Sequence, residues 1–365
     1  MKSNKKATNC RLGTVGGQAV LEGIMMKGKE KYSIAVRRED GSISLSEHSH
    51  TSVRKKHKIL NIPILRGIVG FGESMVLNFK TLSQSAEQYG GLDEVEPESK
   101  FEKWLTEKLG DKLMGIIMGI AMVLGVALCL GLFFYLPTLA VNGIDHLAGG
   151  RLGMWKSAIE GIIKMTIFVL YLLGVSLMKD IRRTFEYHGA EHKTIFCYES
   201  GEELTVENVK KHKRFHPRCG TSFIFVVLTV SILLNSLLDI IPFIDAWGNP
   251  FLRILFKMVM LLPVVGISFE FIMLAGKHDN LITRILSYPG LLMQRITTRE
   301  PDDSQIEVAI VALKSSLPND FPDFVHYDPH DEVSSDDTVE EPQNVDETAS
   351  ETTESEDTND DGQNT

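Results

Sequence analysis

LMGIIMGIAMVLGVALCLGLFFYLPTLAV, residues 113–141, holds no charged side chain in 29 consecutive positions. A helix needs roughly 20 apolar residues to cross the hydrocarbon core of a bilayer, so this stretch alone predicts a membrane span. Three further segments have the same character. Residues 157–178 are apolar apart from Glu160 and Lys164, one helical turn apart and able to pair. Residues 221–238 are free of charge until Asp239, and residues 251–276 are interrupted only by Arg253, Lys257 and Glu270. Four such segments in one chain fit the hydropathy rule for a mainly α, polytopic helical membrane protein with about four transmembrane helices.

Averages conceal this pattern. The mean hydropathy is near zero and 24% of the 365 residues are charged, as in a soluble protein. The formal net charge of −10 belongs to the end of the chain: beyond Lys314 there are 17 acidic residues and no Lys or Arg. Without that tail, 38 bases face 31 acids (48 less 17). The bases also have a side. Lys100, Lys103, Lys108 and Lys112 precede the first span, nine Lys or Arg lie in 179–220, and Lys277, Arg284, Arg295 and Arg299 follow the fourth. The other two loops hold only Arg151 and Lys156. The positive-inside rule therefore puts both termini and residues 179–220 in the cytoplasm. Arg253 and Lys257 run against the trend, at a helix end from which they can snorkel.

Five regions follow along the chain. Residues 1–60 form a small cytoplasmic α+β region with a β-hairpin: 32–36 is β-prone, Asp40-Gly41 is a turn signal and 42–45 the return strand. Residues 61–112 hold an interfacial helix starting near Pro63, interrupted by Arg66 and Glu73, and a polar approach. Residues 113–276 are the four-span membrane domain. Residues 277–317 end in an amphipathic helix with Asp302 and Ser304 at its start and Ile306, Ile310, Leu313 and Leu317 on one stripe. Residues 318–365, acidic and nearly free of apolar side chains, cannot bury a core and are expected to be disordered and dispensable for folding.

The chemistry concentrates at HGAEH, residues 188–192. On a helix His188 and His192 share one face, a bidentate grip for zinc, and Glu191 stands beside them as a general base. HPRCGT, residues 216–221, returns the chain to the same membrane face with two more zinc donors, His216 and Cys219. All four together would close a structural site; the His pair with one further ligand would leave an open, catalytic position. Glu270, inside the fourth segment, is either functional or paired with a cation such as Arg66 or Lys164. Cys129 lies in an apolar run, while Cys10, Cys197 and Cys219 lie on the side read as cytoplasmic, without a Cys-x-x-Cys and where thiols stay reduced. Gly13, Gly16, Gly17 and Gly23 lack the Gly-Lys-Ser/Thr ending of a phosphate loop. No nucleic-acid site is expected, since topology already explains the basic residues.

GGQAVLEGIMM (16–26), PILRG (63–67), HGAEH (188–192), HPRCGT (216–221) and TTREPDD (297–303) together resemble the bacterial YqhQ family. The resemblance covers about residues 11–317. It implies a protein of the bacterial cell membrane, in a family described as membrane proteins of unknown function and predicted metal-dependent enzymes, and it brings no substrate. Two functions compete: a membrane-embedded, zinc-dependent hydrolase with Glu191 as base, and a non-enzymatic, metal-stabilised scaffold, assembly factor or transporter component. The partners expected are the lipid bilayer and other membrane proteins. The charge pattern carries a test. Cysteines introduced at His146 and Trp247 should react with an impermeant thiol reagent from outside the cell; reaction only from inside would invert the topology.

Overall fold

The computed structural model describes residues 11–90, 112–216, 218–238, 250–277 and 281–328. The polar approach at 91–111, Cys10, the loop that holds Trp247 and the acidic stretch beyond 328 lie outside the described residues, as do the side chains of Arg253 and Lys257. Four antiparallel strands, β1 (Gly16–Val20), β2 (Gly23–Lys27), β3 (Lys31–Arg37) and β4 (Ile43–Ser49), pair in sequence order. The hairpin expected around Asp40-Gly41 is the β3–β4 half, with Ala35 opposite Leu45 and Gly41 at a φ of 86°. The glycine-rich stretch supplies the other half. Gly23 is needed there because a Cβ would stand 2.3 Å from the Ala35 carbonyl oxygen.

Both faces of this sheet are covered. Ile24, Met26 and Ala35 belong to one core, and Val20, Met25, Ile34 and Val36 to the other. Successive side chains on a strand point to opposite faces, so a sheet buried on both sides loses its polar alternation and reads as an unbroken apolar run.

The principal helices are α1 (Leu65–Gly90), α2 (Lys112–Leu130), α3 (Leu136–Leu147), α4 (Lys156–Val175), α5 (Lys179–Ser200), α6 (Val206–Lys210), α7 (Gly220–Leu238), α8 (Pro250–Lys277), α9 (Leu281–Thr297) and α10 (Asp303–Ser316). Helix α1 covers one face of the sheet through Leu77. Helices α5 and α10 cover the other, burying Tyr187, Ala190, Ile306 and Leu313, and Ser33 Oγ donates to the Ala312 carbonyl at 2.5 Å. Asp302 caps α10 in a full capping box with Gln305, as its acidic start predicts. Three stretches far apart in sequence thus share one core.

The chain after Pro318 departs from expectation. Phe321 packs on the α5–α10 core, the Tyr198 hydroxyl donates to Asp320, and Arg38 pairs with Asp328 at 2.6 Å. Phe321 and these polar contacts dock the stretch, so 318–328 belongs to the same compact unit as the sheet and helices rather than to an unfolded tail.

Among the described residues, three helical segments are long and apolar enough to cross a membrane: Gly119–Leu147, Lys156–Val175 and Gly220–Leu237. The first runs through a π-helical turn at Gly131–Tyr135, just before Pro137, whose missing N–H cannot continue the α ladder. Helix α8 is continuous over 28 residues, and its described side chains include the apolar stretch Met258–Met273. It packs tightly on the start of α1: a Cβ on Gly266 would lie 2.4 Å from Ile64, and one on Gly67 2.7 Å from Phe269. Glu270 meets one of its two expected partners there. Arg66 grips its carboxylate with both Nε (2.6 Å) and Nη2, and the Ile64 N–H donates to it at 3.3 Å. Ile64 itself has a φ of 71°, a strained conformation for a β-branched residue, and the Glu270 carboxylate holds that turn. Glu160 accepts from Thr138 at 3.1 Å, and Lys164 lies over the Phe134 ring. Glu270→Gln and Arg66→Gln should each lower the melting temperature in detergent, since each leaves one charge uncompensated. The double variant Arg66→Met/Glu270→Met should recover most of the loss; additive losses would show that the pair is not what holds α1 on α8.

Candidate metal centre

Helix α5 is unusual in being polar and yet enclosed. Its mean composition is hydrophilic, but eleven of its 22 residues are buried, among them Glu191, His192 and Glu199. The sheet contacts one side of it and α10 another. Gly189 admits the chain after α9 so closely that a Cβ would lie 1.9 Å from the Arg299 carbonyl oxygen, and the Arg299 N–H donates to the Phe185 carbonyl at 2.8 Å. Gly201 ends α5 in the left-handed conformation, with a φ of 78°.

The expected one-face arrangement holds: the His188 and His192 rings are 4.4 Å apart. Each ring is fixed at Nδ1 by a backbone carbonyl, His188 by Thr297 at 2.8 Å and His192 by Arg214 at 2.5 Å. A carbonyl can only accept, so both Nδ1 atoms carry a proton, and in the neutral rings the lone pair is left on Nε2. This is how metal-ligating histidines are held. Cys219 stands at the start of α7 with Sγ 3.2 Å from His188 Nε2, and the Thr221 N–H donates to it at 3.4 Å. Donor atoms of His188, His192 and Cys219 all lie within 4.8 Å of one another. Tetrahedral zinc with bonds of about 2.0–2.3 Å spaces its ligand atoms by roughly 3.3–3.8 Å, so a small contraction would accommodate it.

His216, the fourth ligand candidate, is not in that set. Its Nε2 faces the Glu199 carboxylate at 3.8 Å, and its Nδ1 accepts from the Arg218 N–H at 3.3 Å. Burial holds the His216 imidazole below its ordinary pKa despite the carboxylate, with the Arg218 guanidinium and His192 acting in the same direction. Burial would raise the Glu199 carboxyl, but His216, the Gly13 N–H and Arg218 together hold it below the usual range. Glu191 differs: burial raises its carboxyl to about 7, against the opposing pull of His188. Its Oε2 is 3.9 Å from His188 Nε2. Gly17 on β1 makes room for it, since a Cβ there would lie 2.7 Å from Glu191 Cγ. Glu270, on α8, forms its pair with Arg66 and is not one of the grouped donors.

Two residues not anticipated complete the frame. Gln294, fully buried on α9, exchanges hydrogen bonds with both backbone groups of His216 at 2.7 Å and donates to Ser222 at 2.9 Å. Glu199 continues the stripe of His188, His192 and Ile195 at helical spacing, a signal the sequence does contain. A second set, Cys197, Glu202 and His212, also brings donor atoms within 4.8 Å. Burial pushes that thiol up to about 11, and Sγ is directed at the Glu203 carbonyl.

Fold and site define a helical protein with three candidate spans among the described residues and a largely buried His/His/Cys cluster on a helix packed against a four-stranded sheet. Residues 62–319 match the family model described as Protein of unknown function (DUF1385), and the chain belongs to that family. A relative from Bacillus subtilis (strain 168), Uncharacterized protein YqhQ, is 36% identical over 303 residues, covering 83% of this chain and 92% of the relative. No solved structure matches it. The geometry separates the four ligand candidates. His188→Ala, His192→Ala and Cys219→Ala should each remove most of the zinc that the purified protein takes up, measured by plasma mass spectrometry, while His216→Gln should keep it. The reverse result for Cys219 and His216 would reassign the third ligand.

Proposed function

We propose that the protein is a membrane-embedded, zinc-dependent hydrolase acting at the cytoplasmic face of the bacterial cell membrane. Its chain would cross the membrane four times, with both termini inside. The observation that carries the reading is the pair of backbone carbonyls on His188 and His192, which occupy both Nδ1 atoms and leave both Nε2 atoms grouped with Cys219 beside the buried carboxylate of Glu191. Counting α8 as the fourth crossing is supported by its 28-residue length and by the Arg66–Glu270 pair, which offsets the one carboxylate within it.

Bound zinc supplies a Lewis acid and acidifies water at an open coordination position. The chain supplies the rest. Glu191 accepts the proton that the attacking water gives up and returns it to the leaving group. Its packing against Gly17 fixes the carboxylate and keeps bulk water from it. Thr297 and Arg214 hold the imidazoles in one tautomer, and Gln294 locks the backbone of His216 three residues before Cys219. A structural reading competes because Cys219 ties the start of α7 to α5, as the donors of a closed zinc site would.

Glu191→Gln separates the two. Wild-type and variant protein, loaded with equal zinc, are incubated with total bacterial lipid and with cytosolic extract, and released products are identified by mass spectrometry. The hydrolase reading expects a product with wild type that Glu191→Gln fails to release although it keeps zinc. Equal product profiles for the two would leave the structural reading in place.

A further inference from the structure

A cavity of about 360 Å³ lies where the end of α4, the first turns of α5 and residues 295–300 meet. Four guanidinium side chains line it: Arg182, Arg214, Arg295 and Arg299. Only two carboxylates share the lining, Glu186 and Glu300. Glu186 faces Arg182 at 3.6 Å, and Glu300 is divided between Arg214 at 3.8 Å and Lys193 at 2.7 Å. Arg295 and Arg299 have no carboxylate within 4.0 Å among the described residues. Arg299 donates from Nη2 to the Ser176 carbonyl at 3.3 Å, and its Nε is buried without any acceptor. A buried guanidinium N–H left without an acceptor is a standing cost that a bound oxyanion would remove. Guanidinium forks match phosphate oxygens in bidentate fashion.

The place of the cavity selects the form of the anion. Its wall includes Leu173 and Ser176, at the end of the candidate span Lys156–Val175. That is the level at which a bilayer's hydrocarbon gives way to headgroups. Leu170 and Leu173 lie exposed one turn apart on α4, leading away from this point, and Leu177 in the turn just beyond the helix is 81% exposed. The volume is near the lower end of the roughly 300–1,000 Å³ of small-molecule sites, enough for a headgroup while acyl chains remain outside.

We propose that this cavity binds the phosphate of an anionic phospholipid headgroup, with the acyl chains lying along Leu170 and Leu173. The proposal rests on α4 being a span, and it needs no metal at His188, so it stands or falls apart from the hydrolase reading.

The test uses the full chain in detergent, with lipid binding followed by native mass spectrometry. Dioleoylphosphatidylglycerol should bind at least ten-fold more tightly than dioleoylphosphatidylcholine. Arg295→Gln, at an exposed position that leaves the core intact, should weaken phosphatidylglycerol about ten-fold, and Arg295→Gln/Arg299→Gln further. Lys211→Gln, outside the cavity, should leave binding unchanged. Glycerol 3-phosphate at millimolar concentration should fail to displace the lipid. Unchanged phosphatidylglycerol affinity in Arg295→Gln overturns the site. Full displacement by glycerol 3-phosphate overturns the lipid assignment and makes the ligand a soluble phosphate ester.

Discussion

The backbone of residue 299 lies against the backbone of Gly189 with no room for a side chain between them, and the candidate centre depends on that approach. The Arg299 N–H closes onto the Phe185 carbonyl, which holds the chain along α5. Two residues earlier, the Thr297 carbonyl then reaches His188 Nδ1; a few residues later, α10 enters the sheet. Any residue other than glycine at 189 would lift the strap from the helix and release both contacts. One glycine in HGAEH therefore has as strict a role as the two histidines, for reasons of space rather than chemistry.

Burial explains the electrostatics around that helix. A carboxylate removed from water is costly unless donors meet it. Glu199 is met by His216, Arg218 and the Gly13 N–H, and it stays readily ionised. Glu191, two turns earlier, has His188 at 3.9 Å and is the carboxyl that burial raises. Two acids on one helix thus receive opposite treatment from their surroundings. The better-satisfied one belongs to the framework that positions His216, and the less-satisfied one stands beside the free lone pairs of the cluster.

Local features were legible in the sequence. Long apolar runs pointed to four spans, three of which are long and apolar enough among the described residues, Asp40-Gly41 marked the β3–β4 turn, Asp302 marked the start of α10, and the charge of Arg66 made it a candidate for Glu270. What remained hidden depends on contacts between distant residues. Strands β1 and β2 lack alternation because helices cover both faces of the sheet, and their glycines look like a phosphate loop until Gly23 is seen against β3 and Gly17 against Glu191. His216 and Cys219 looked equivalent in sequence. Gln294 and Glu199, from two other parts of the chain, turn the His216 backbone and ring away and leave Cys219 facing the histidines. Spacing along the chain carries no information about that choice.

The order in which a ribosome releases the chain gives the sheet a further significance. Ser33 and the Ala312 carbonyl it binds are 279 positions apart. At about 5–20 residues per second, synthesis separates them by a time on the order of tens of seconds. During that interval the candidate spans emerge and are available for insertion while one face of the sheet still lacks α10. A polypeptide ending between about residues 277 and 303 would therefore carry every apolar helix named above but leave one face of the sheet open. The residues that orient the histidine cluster, up to Thr297 and Arg299, have all been made by then, so the closing of the sheet core by α10 comes after the cluster's own parts are in the chain.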